Sequence, residues 1–178
     1  AEIIYGKVNP SAKLAMTMPR SAGQISTWYN HKRSAFFHPA VCTDNKPLYP
    51  FGYGLSYTSF RYSNLKLSKQ IIPNDGKAQI IASVTIENTG QHDGVEICQL
   101  YINDLVSSVS RPVKELKDFL RVGLKAGEKR TVEFTITPDK LAFYDLNMNP
   151  IVEAGEFEVM IGGSSRDEDL QKATFTIQ

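Results

Sequence analysis

Residues 47–60 constrain the fold of this chain more than any other stretch. They combine several aromatic rings with two prolines and two glycines. Proline fixes φ and donates no N–H, and glycine admits positive φ, so this stretch is predicted to be neither a helix interior nor a central strand. It is also too apolar for a solvated loop. We therefore predict an ordered connector, called the strap below, whose rings lie against a neighbouring surface: Tyr49, Phe51, Tyr53 and Tyr57.

The composition is that of an ordinary globular protein with almost no net charge. Of its 178 residues, 42% are hydrophobic and 22% are charged, and the formal net charge at pH 7 is +1. This balance gives no electrostatic reason to expect a nucleic acid or an anionic membrane as a partner. No apolar run approaches the roughly 20 residues of a membrane span, and no signal peptide is visible at the start. The length allows one domain plus part of another.

Residues 1–30 are expected to be the end of a domain whose remainder is not in this sequence. The first residues are predicted to be the last turns of a helix that stops at Gly6. Leu14, Met16 and Met18 alternate along the chain, which predicts a short strand that ends at Pro19. A helix end and one strand cannot bury their own apolar faces, so they need a parent sheet.

Residues 59–178 carry strand signals at the spacing of a β-sandwich. Eight strands and no convincing helix are predicted, so the fold class is mainly β, a fibronectin-III-like or immunoglobulin-like β-sandwich. The predicted strands are Phe60–Leu67, Ala78–Glu87, Val95–Asn103, Asp118–Lys125, Lys129–Thr137, Leu141–Asn147, Gly155–Ile161 and Lys172–Ile177.

Two of these strands carry specific packing predictions. In the second, the apolar residues that share one face are Ile80, Ala82, Val84 and Ile86. In the third, Val95 and Ile97 have one parity, whereas Leu100 and Ile102 have the other. A β-bulge near residues 98–99 would bring both pairs to a single buried face, and we predict one there.

The two cysteines have neither a metal-type nor a redox-type spacing. A disulfide between Cys42 and Cys98 is one alternative. The favoured interpretation is two separate thiols, with Cys98 buried as a small hydrophobic side chain. His38 has no second His, Cys or carboxylate at ligand spacing and is weak evidence for a metal. We therefore expect no metal site and no cofactor.

Several motifs point to one family. They are Gly6-Lys-Val-Asn-Pro-Ser-Ala-Lys-Leu-Ala-Met-Thr-Met-Pro19, the strap, Glu87-Asn-Thr-Gly90, Arg111-Pro-Val-Lys-Glu-Leu116 and Leu124-Lys-Ala-Gly-Glu128. Together they resemble the C-terminal region of glycoside hydrolase family 3, which contains β-glucosidases and β-xylosidases. Ala12 and Ala15 depart from the family pattern, where a glycine and a proline stand. The resemblance implies that residues 1–30 end an α/β sandwich domain, 31–58 form an aromatic linker and 59–178 form the fibronectin-III-like domain.

The segment that follows the predicted strand end has two interpretations. Its candidate substrate-adjacent residues are Trp28, Asn30, His31, Lys32 and Arg33. Trp28 with Tyr29 would offer a sugar-stacking surface, and the polar residues after them would donate hydrogen bonds to hydroxyls. The alternative, which the sequence alone favours, is a packed aromatic pair followed by a solvated basic turn. The resemblance favours the first somewhat, because this loop can lie towards the catalytic domains in the family.

We expect no catalytic residue in this chain. Retaining glycosidases need two carboxyl groups about 5–5.5 Å apart. The resemblance implies that the nucleophile belongs to a Ser-Asp-Trp type motif in the family's first domain, and this sequence contains no such motif. Before the strap the carboxylates are Glu2 and Asp44, and those of the sandwich are expected mostly in turns or at outward positions, where they are solvated.

Two functions are therefore weighed. The first is the C-terminal part of a β-glucosidase, which braces N-terminal catalytic domains that bind a β-glucoside or related oligosaccharide; a β-xylosidase is the second choice. The alternative is a free-standing carbohydrate-binding or protein-binding module. The start of the chain favours the first, because a free-standing module should not begin with a helix end and a strand that lack partners. The resemblance also implies a periplasmic or extracellular location.

Overall fold

Two facing sheets dominate the computed structural model, which describes residues 1–24, 28–33 and 46–178. The strands are β1 (Phe60–Leu67), β2 (Ile71–Ile72), β3 (Ile80–Asn88), β4 (Gly94–Asp104), β5 (Glu115–Leu124), β6 (Lys129–Ile136), β7 (Phe143–Tyr144), β8 (Pro150–Ile151), β9 (Gly155–Gly162) and β10 (Leu170–Ile177). One sheet has the order β1-β3-β6, and the other has the order β2-β10-β9-β4-β5. A four-residue helix, α1 (Pro138–Leu141), precedes the β7–β8 hairpin.

The core lies between the two sheets and follows the alternation of the strands. The predicted inward face of β3 is confirmed, since Ile80, Ala82, Val84 and Ile86 are all fully buried. The opposite sheet supplies the other half of the core: Cys98, Leu100, Ile102, Phe157, Val159, Ile161, Phe175 and Ile177. This packing confirms the predicted mainly-β sandwich of the fibronectin-III-like class.

Seven of the eight predicted strands are present, β1 with the predicted ends and the others with ends shifted by up to three residues. The prediction of a strand at Leu141–Asn147 is wrong except at Phe143 and Tyr144. A proline fits the first helical turn, so Pro138 starts α1 instead, and Leu141 is buried. The chain then forms the two-residue strand β7 and turns back tightly. The carboxylate of Asp145 accepts hydrogen bonds from the backbone N–H groups of Asn147 and Asn149, both at 2.8 Å, which closes the turn.

The predicted bulge in β4 is also wrong. The inward alternation of Glu96, Cys98, Leu100 and Ile102 is unbroken. The irregularity lies in the partner strand, because Leu100 pairs with Asp118 and Tyr101 pairs with Leu116, so that one residue of β5 is skipped. Val95 and Ile97 simply face outward and are half-buried. The apparent parity break arises because both faces of the later part of β4 are buried.

The described part of residues 1–58 includes a segment that runs beside the strap and bonds to it. Residues 1–7 form a hydrogen-bonded turn in which Lys7 N–H donates to Glu2 O at 2.9 Å, and Gly6 has φ +73°. The predicted strand around Leu14 is reduced to strand-like hydrogen bonds with the strap. Leu14 N–H donates to Tyr53 O and Gly52 N–H donates to Leu14 O, both at 2.8 Å. Met18 forms an isolated antiparallel β-bridge with Tyr49.

Cys98 is buried with a free thiol, as predicted, and burial raises its pKa to about 12, so the thiol stays protonated. Cys42 and His38 lie outside the described residues. None of the helices in the described ranges is both long and apolar enough to span a membrane.

Candidate functional site

The outer face of the five-stranded sheet carries a second apolar cluster, and the N-terminal part of the chain covers it. Tyr101, Met160 and Leu170 are buried there. The ring of Tyr29 stacks on Phe51 at a centroid distance of 4.2 Å and meets Tyr101 edge-on at 5.8 Å. Offset stacks and edge-to-face pairs are the favoured aromatic geometries, so this contact fixes the strap on the sandwich.

Gln99 joins the strap to two parts of the sandwich. Its Nε2 donates to Gly52 O at 3.1 Å and to Gly163 O at 2.8 Å. The hydroxyl of Tyr101 donates to its Oε1. Gly52 has φ +76°, a conformation that favours glycine, and a Cβ at this position would lie 2.1 Å from the Gln99 Oε1. Only glycine therefore fits at this point of the strap.

A partly buried ion pair joins the N-terminal segment to β4. Lys13 Nζ lies 3.1 Å from a carboxylate oxygen of Glu96, and the Tyr62 hydroxyl donates to the same carboxylate at 3.0 Å. Burial raises the pKa of Glu96, and the charge of Lys13 opposes that shift. Glu96 is an exception to the expectation that the sandwich carboxylates are mostly solvated, and its inward parity with Cys98 was a usable signal of its burial.

Replacing Lys13 with methionine is expected to cost about 2 kcal/mol of unfolding free energy at pH 7, below the usual range for a broken buried pair because Lys13 is partly exposed. The loss of Lys13 raises the pKa of Glu96 further. A carboxyl whose folded pKa is raised stabilises the fold below its ordinary value of 4.5, and that stability is lost as the pH rises through the folded pKa. Urea unfolding should therefore show that Lys13→Met loses less unfolding free energy at pH 4 than at pH 7.

The control for this pH dependence is the double variant Lys13→Met with Glu96→Gln. It removes the titrating carboxyl together with its partner, so its stability difference from the wild type should not grow from pH 4 to pH 7. If Lys13→Met alone lost the same unfolding free energy at both pH values, the assignment of the pH dependence to Glu96 would be contradicted.

A second buried ionic cluster surrounds Arg111. Its guanidinium donates to Asp104 at 3.0 Å, to Glu115 at 2.7 Å and to Leu141 O at 3.2 Å, and it lies 4.8 Å from the centre of the Phe143 ring. Burial raises the pKa of Asp104, and Arg111 opposes the rise. Asp104 is therefore a second exception to the expectation that most sandwich carboxylates are solvated. Sequence reasoning missed this cluster.

The four strap rings that were predicted to lie against a neighbouring surface have different surroundings. Phe51 packs inward on Tyr29, whereas Tyr49 stacks on Tyr53 at 5.1 Å. The guanidinium of Arg166 lies 5.2 Å from the centre of the Tyr53 ring. Tyr57 donates through its hydroxyl to Ile3 O but keeps 47% of its surface exposed. The strap thus has one side on the sandwich and one side open.

The candidate substrate-adjacent residues run along the edge of the connection before β5. Val113 N–H donates to His31 O at 3.0 Å, and Lys32 forms a β-bridge with Pro112. Trp28 is 57% exposed, and Asn30, Lys32 and Arg33 are exposed as well. The structure therefore brings these residues to one edge of the sandwich. Their role near a substrate stays a prediction.

A cleft of about 550 Å³ lies between residues 10–13, residues 53–62 and the loop 163–171. The charged groups at its walls already have partners. Glu96 is paired with Lys13, and the carboxylate of Asp169 accepts a hydrogen bond from Ser164. Within the described ranges, no group of three or more His, Cys, Asp or Glu side chains is arranged to hold a metal ion.

Large exposed apolar side chains are concentrated in the first 58 residues. We call this set the N-terminal apolar side chains: Ile3, Ile4, Tyr5, Val8, Met16, Met18, Trp28, Leu48, Tyr49, Leu55 and Tyr57. Ile4 and Tyr5 are 83% and 81% exposed. Scattered exposed apolar residues are normal, but a concentration in one part of the chain is typical of a surface that meets another protein or domain.

Two family models match the chain. The glycosyl hydrolase family 3 C-terminal domain matches residues 1–57, and the fibronectin type III-like domain matches residues 96–165. The first range contains all of the N-terminal apolar side chains.

Relatives and solved structures agree with these matches. A putative β-xylosidase of Formosa agariphila is 45% identical over the whole chain, and a periplasmic β-glucosidase of Salmonella typhimurium is 42% identical over 93% of it. A solved β-glucosidase from Erythrobacter marinus superposes with a TM-score of 0.93 at 38% identity and covers the whole chain. The chain spans only 23% of the length of each of these three proteins. It belongs to glycoside hydrolase family 3 and corresponds to the C-terminal part of the family's longer enzymes.

Proposed function

We propose that this chain is the C-terminal part of a β-glucosidase-type enzyme, in which it braces the catalytic domains and is not itself catalytic. In this proposal residues 1–30 complete an α/β sandwich domain, residues 31–58 link it to the sandwich and residues 59–178 form the fibronectin-III-like domain. The catalytic domains that precede it in the same polypeptide are its partner, and they bind the glycoside.

The observation that carries this proposal is the concentration of exposed apolar side chains in the region that matches the family's C-terminal domain. Met16 is 67% exposed and Leu55 is 69% exposed, although both lie in segments that are hydrogen-bonded to the rest of the structure. Burial of such side chains against a preceding domain would stabilise the contact by about 25 cal/mol for each Å² of apolar surface removed from water.

The attachment of the strap supports a bracing role. The Tyr29–Tyr101 ring contact, the Gln99 hydrogen bonds and the Lys13–Glu96 pair all join residues before β1 to the sandwich. A partner that docks on the open side of the strap would therefore be joined to a stiff body rather than to a flexible tail. This stiffness is what a supporting domain must supply to hold catalytic groups in place.

The buried carboxylates support the view that this chain is not catalytic by itself. Glu96 is paired with Lys13 and Asp104 is paired with Arg111, so neither is free to act as a nucleophile or acid on a sugar. Trp28 and the exposed polar residues up to Arg33 are the part of the chain that we place nearest to the substrate. Their exposure and their position on one edge support this placement.

We propose a β-glucoside as the substrate class, with a β-xyloside second. The Salmonella relative is named a periplasmic β-glucosidase, and several similar solved structures are β-glucosidases, whereas the Formosa relative is named a putative β-xylosidase. The name of the Salmonella relative also supports a periplasmic or extracellular location for the enzyme that contains this chain.

The test is a chimera in which this chain replaces the matching C-terminal region of the Salmonella relative. The chimera should hydrolyse 4-nitrophenyl β-D-glucoside, whereas the same relative truncated before this region should be inactive. A truncated relative with full activity would show that no bracing is needed. If the chimera is folded but inactive and the isolated chain binds glycans, the chain is a free-standing binding module instead.

A further inference from the structure

Arg111 holds together three elements of the sandwich: the end of β4, the start of β5 and the helix α1. Its side chain is only 5% exposed, and its guanidinium bonds Asp104 at the end of β4, Glu115 at the start of β5 and the carbonyl of Leu141. It also lies over the ring of Phe143 in the β7–β8 hairpin. The backbone at residue 111 is therefore fixed from several directions.

The residues that follow Arg111 contact the segment from Trp28 to Arg33. Pro112 forms the β-bridge with Lys32, and Val113 N–H donates to His31 O at 3.0 Å. Farther along, Leu116 packs against the cluster that contains Tyr29. The residues that make these contacts follow Arg111 by one to five positions. The segment from Trp28 to Arg33 therefore packs against a stretch of backbone that begins at Arg111, where its position is fixed.

We propose that Arg111 is a positioning residue, which holds the segment from Trp28 to Arg33 in place through Pro112 and Val113. The proposal rests on the proposed function, in which this segment is the part of the chain nearest to the substrate.

The geometry requires arginine rather than any cation. A guanidinium is planar and has five N–H donors, so it can bond two carboxylates and a carbonyl while its face lies on an aromatic ring. A lysine ammonium is a single point of charge with three donors on a flexible stem. Arg111→Lys therefore keeps the charge but cannot meet Asp104, Glu115 and Leu141 O in the same arrangement.

Trp28 is the only tryptophan of the chain, so its fluorescence reports on this segment alone. In the Arg111→Lys variant of the 178-residue chain, the acrylamide quenching constant of Trp28 should rise by up to about twofold, as the ring goes from 57% exposed towards full exposure. Hydrogen exchange at the Val113 amide should become faster in the same variant, because its acceptor is the carbonyl of His31.

The matched control is Ile86→Val or Ile86→Ala, chosen to give the same loss in unfolding midpoint as Arg111→Lys. Ile86 is fully buried in β3, which belongs to the other sheet. A merely structural role for Arg111 predicts the same Trp28 quenching in both variants. Unchanged quenching and unchanged Val113 exchange in a folded Arg111→Lys chain would overturn the proposal.

Two further measurements complete the test. If Arg111→Lys does not fold, Phe143→Leu is measured instead, because it removes only the ring under the guanidinium. A rise in Trp28 quenching supports the proposal, and no change overturns it.

In the Salmonella chimera, Arg111→Lys should raise KM more than it lowers kcat. Because the chain-only measurements do not involve catalysis, an inactive chimera would count against the proposed function and not against the positioning role.

Discussion

Replacing Tyr101 with alanine is expected to lower the free energy of unfolding by about 3–5 kcal/mol, the range for loss of a buried aromatic ring. Tyr101 is fully buried, and the ring of Tyr29 packs edge-on against it. The change removes that ring and also leaves Gln99 without the hydroxyl that donates to its Oε1. Chemical unfolding followed by circular dichroism measures the loss.

The control for this prediction is Tyr101→Phe, which keeps the ring and removes only the hydroxyl. Its cost should be about 1–2 kcal/mol, the value for one lost hydrogen bond with a buried acceptor left behind. If both variants lost the same unfolding free energy, the ring of Tyr101 would contribute nothing to stability. The second apolar cluster, on the outer face of the five-stranded sheet, would then not hold the strap.

Gly52→Ala is expected to cost about 3 kcal/mol and to detach the strap from the sandwich. A residue with a Cβ costs about 1–2 kcal/mol in the left-handed region that Gly52 occupies. The added Cβ would also lie 2.1 Å from the Gln99 Oε1. Gln99 is buried and bonded to Gly52 O, Gly163 O and Tyr101, so it cannot move without the loss of hydrogen bonds worth about 1 kcal/mol each.

Thermal unfolding and hydrogen exchange measure this effect. Exchange at the amides of Leu14 and Gly52 should accelerate in Gly52→Ala, because each of these amides donates across the strap contact. Gly76→Ala is the matched control. Gly76 also has a positive φ, +69°, but nothing lies within 4 Å of its added Cβ, so it should show only the backbone cost. Equal losses in the two variants would exclude the Gln99 contact as the cause.

The sandwich was predictable because its core strands alternate in the ordinary way. Ile80, Val84 and Ile86 share a parity and are all buried. The strand β4 was harder to interpret, because the strap and the N-terminal segment bury its outer face as well. With Tyr101 buried on one face and Leu100 on the other, its apolar residues occur at both parities. A bulge is then a natural but wrong interpretation of the sequence.

The strap shows where sequence reasoning stops. Its prolines, glycines and rings indicated that it lies against a surface, but the surface itself is formed by β4, β9 and β10, which come later in the chain. The contact of Phe51 with Tyr29 and Tyr101 depends on the whole sandwich being in place. Likewise, the burial of Asp104 follows from its pairing with Arg111, and no local pattern marks that pair.

We propose that the N-terminal apolar side chains contact the catalytic domains of the enzyme and hold them in place. The most direct measurement is the activity of the Salmonella chimera carrying Ile4→Ser and Met16→Ser, compared with the chimera carrying Leu146→Ser and Met148→Ser. All four side chains are at least 67% exposed, but the second pair lies in the β7–β8 hairpin. We expect the first variant to lose most of its hydrolysis of 4-nitrophenyl β-D-glucoside and the second to keep it. Full activity in the first variant, or equal losses in both, would contradict the account.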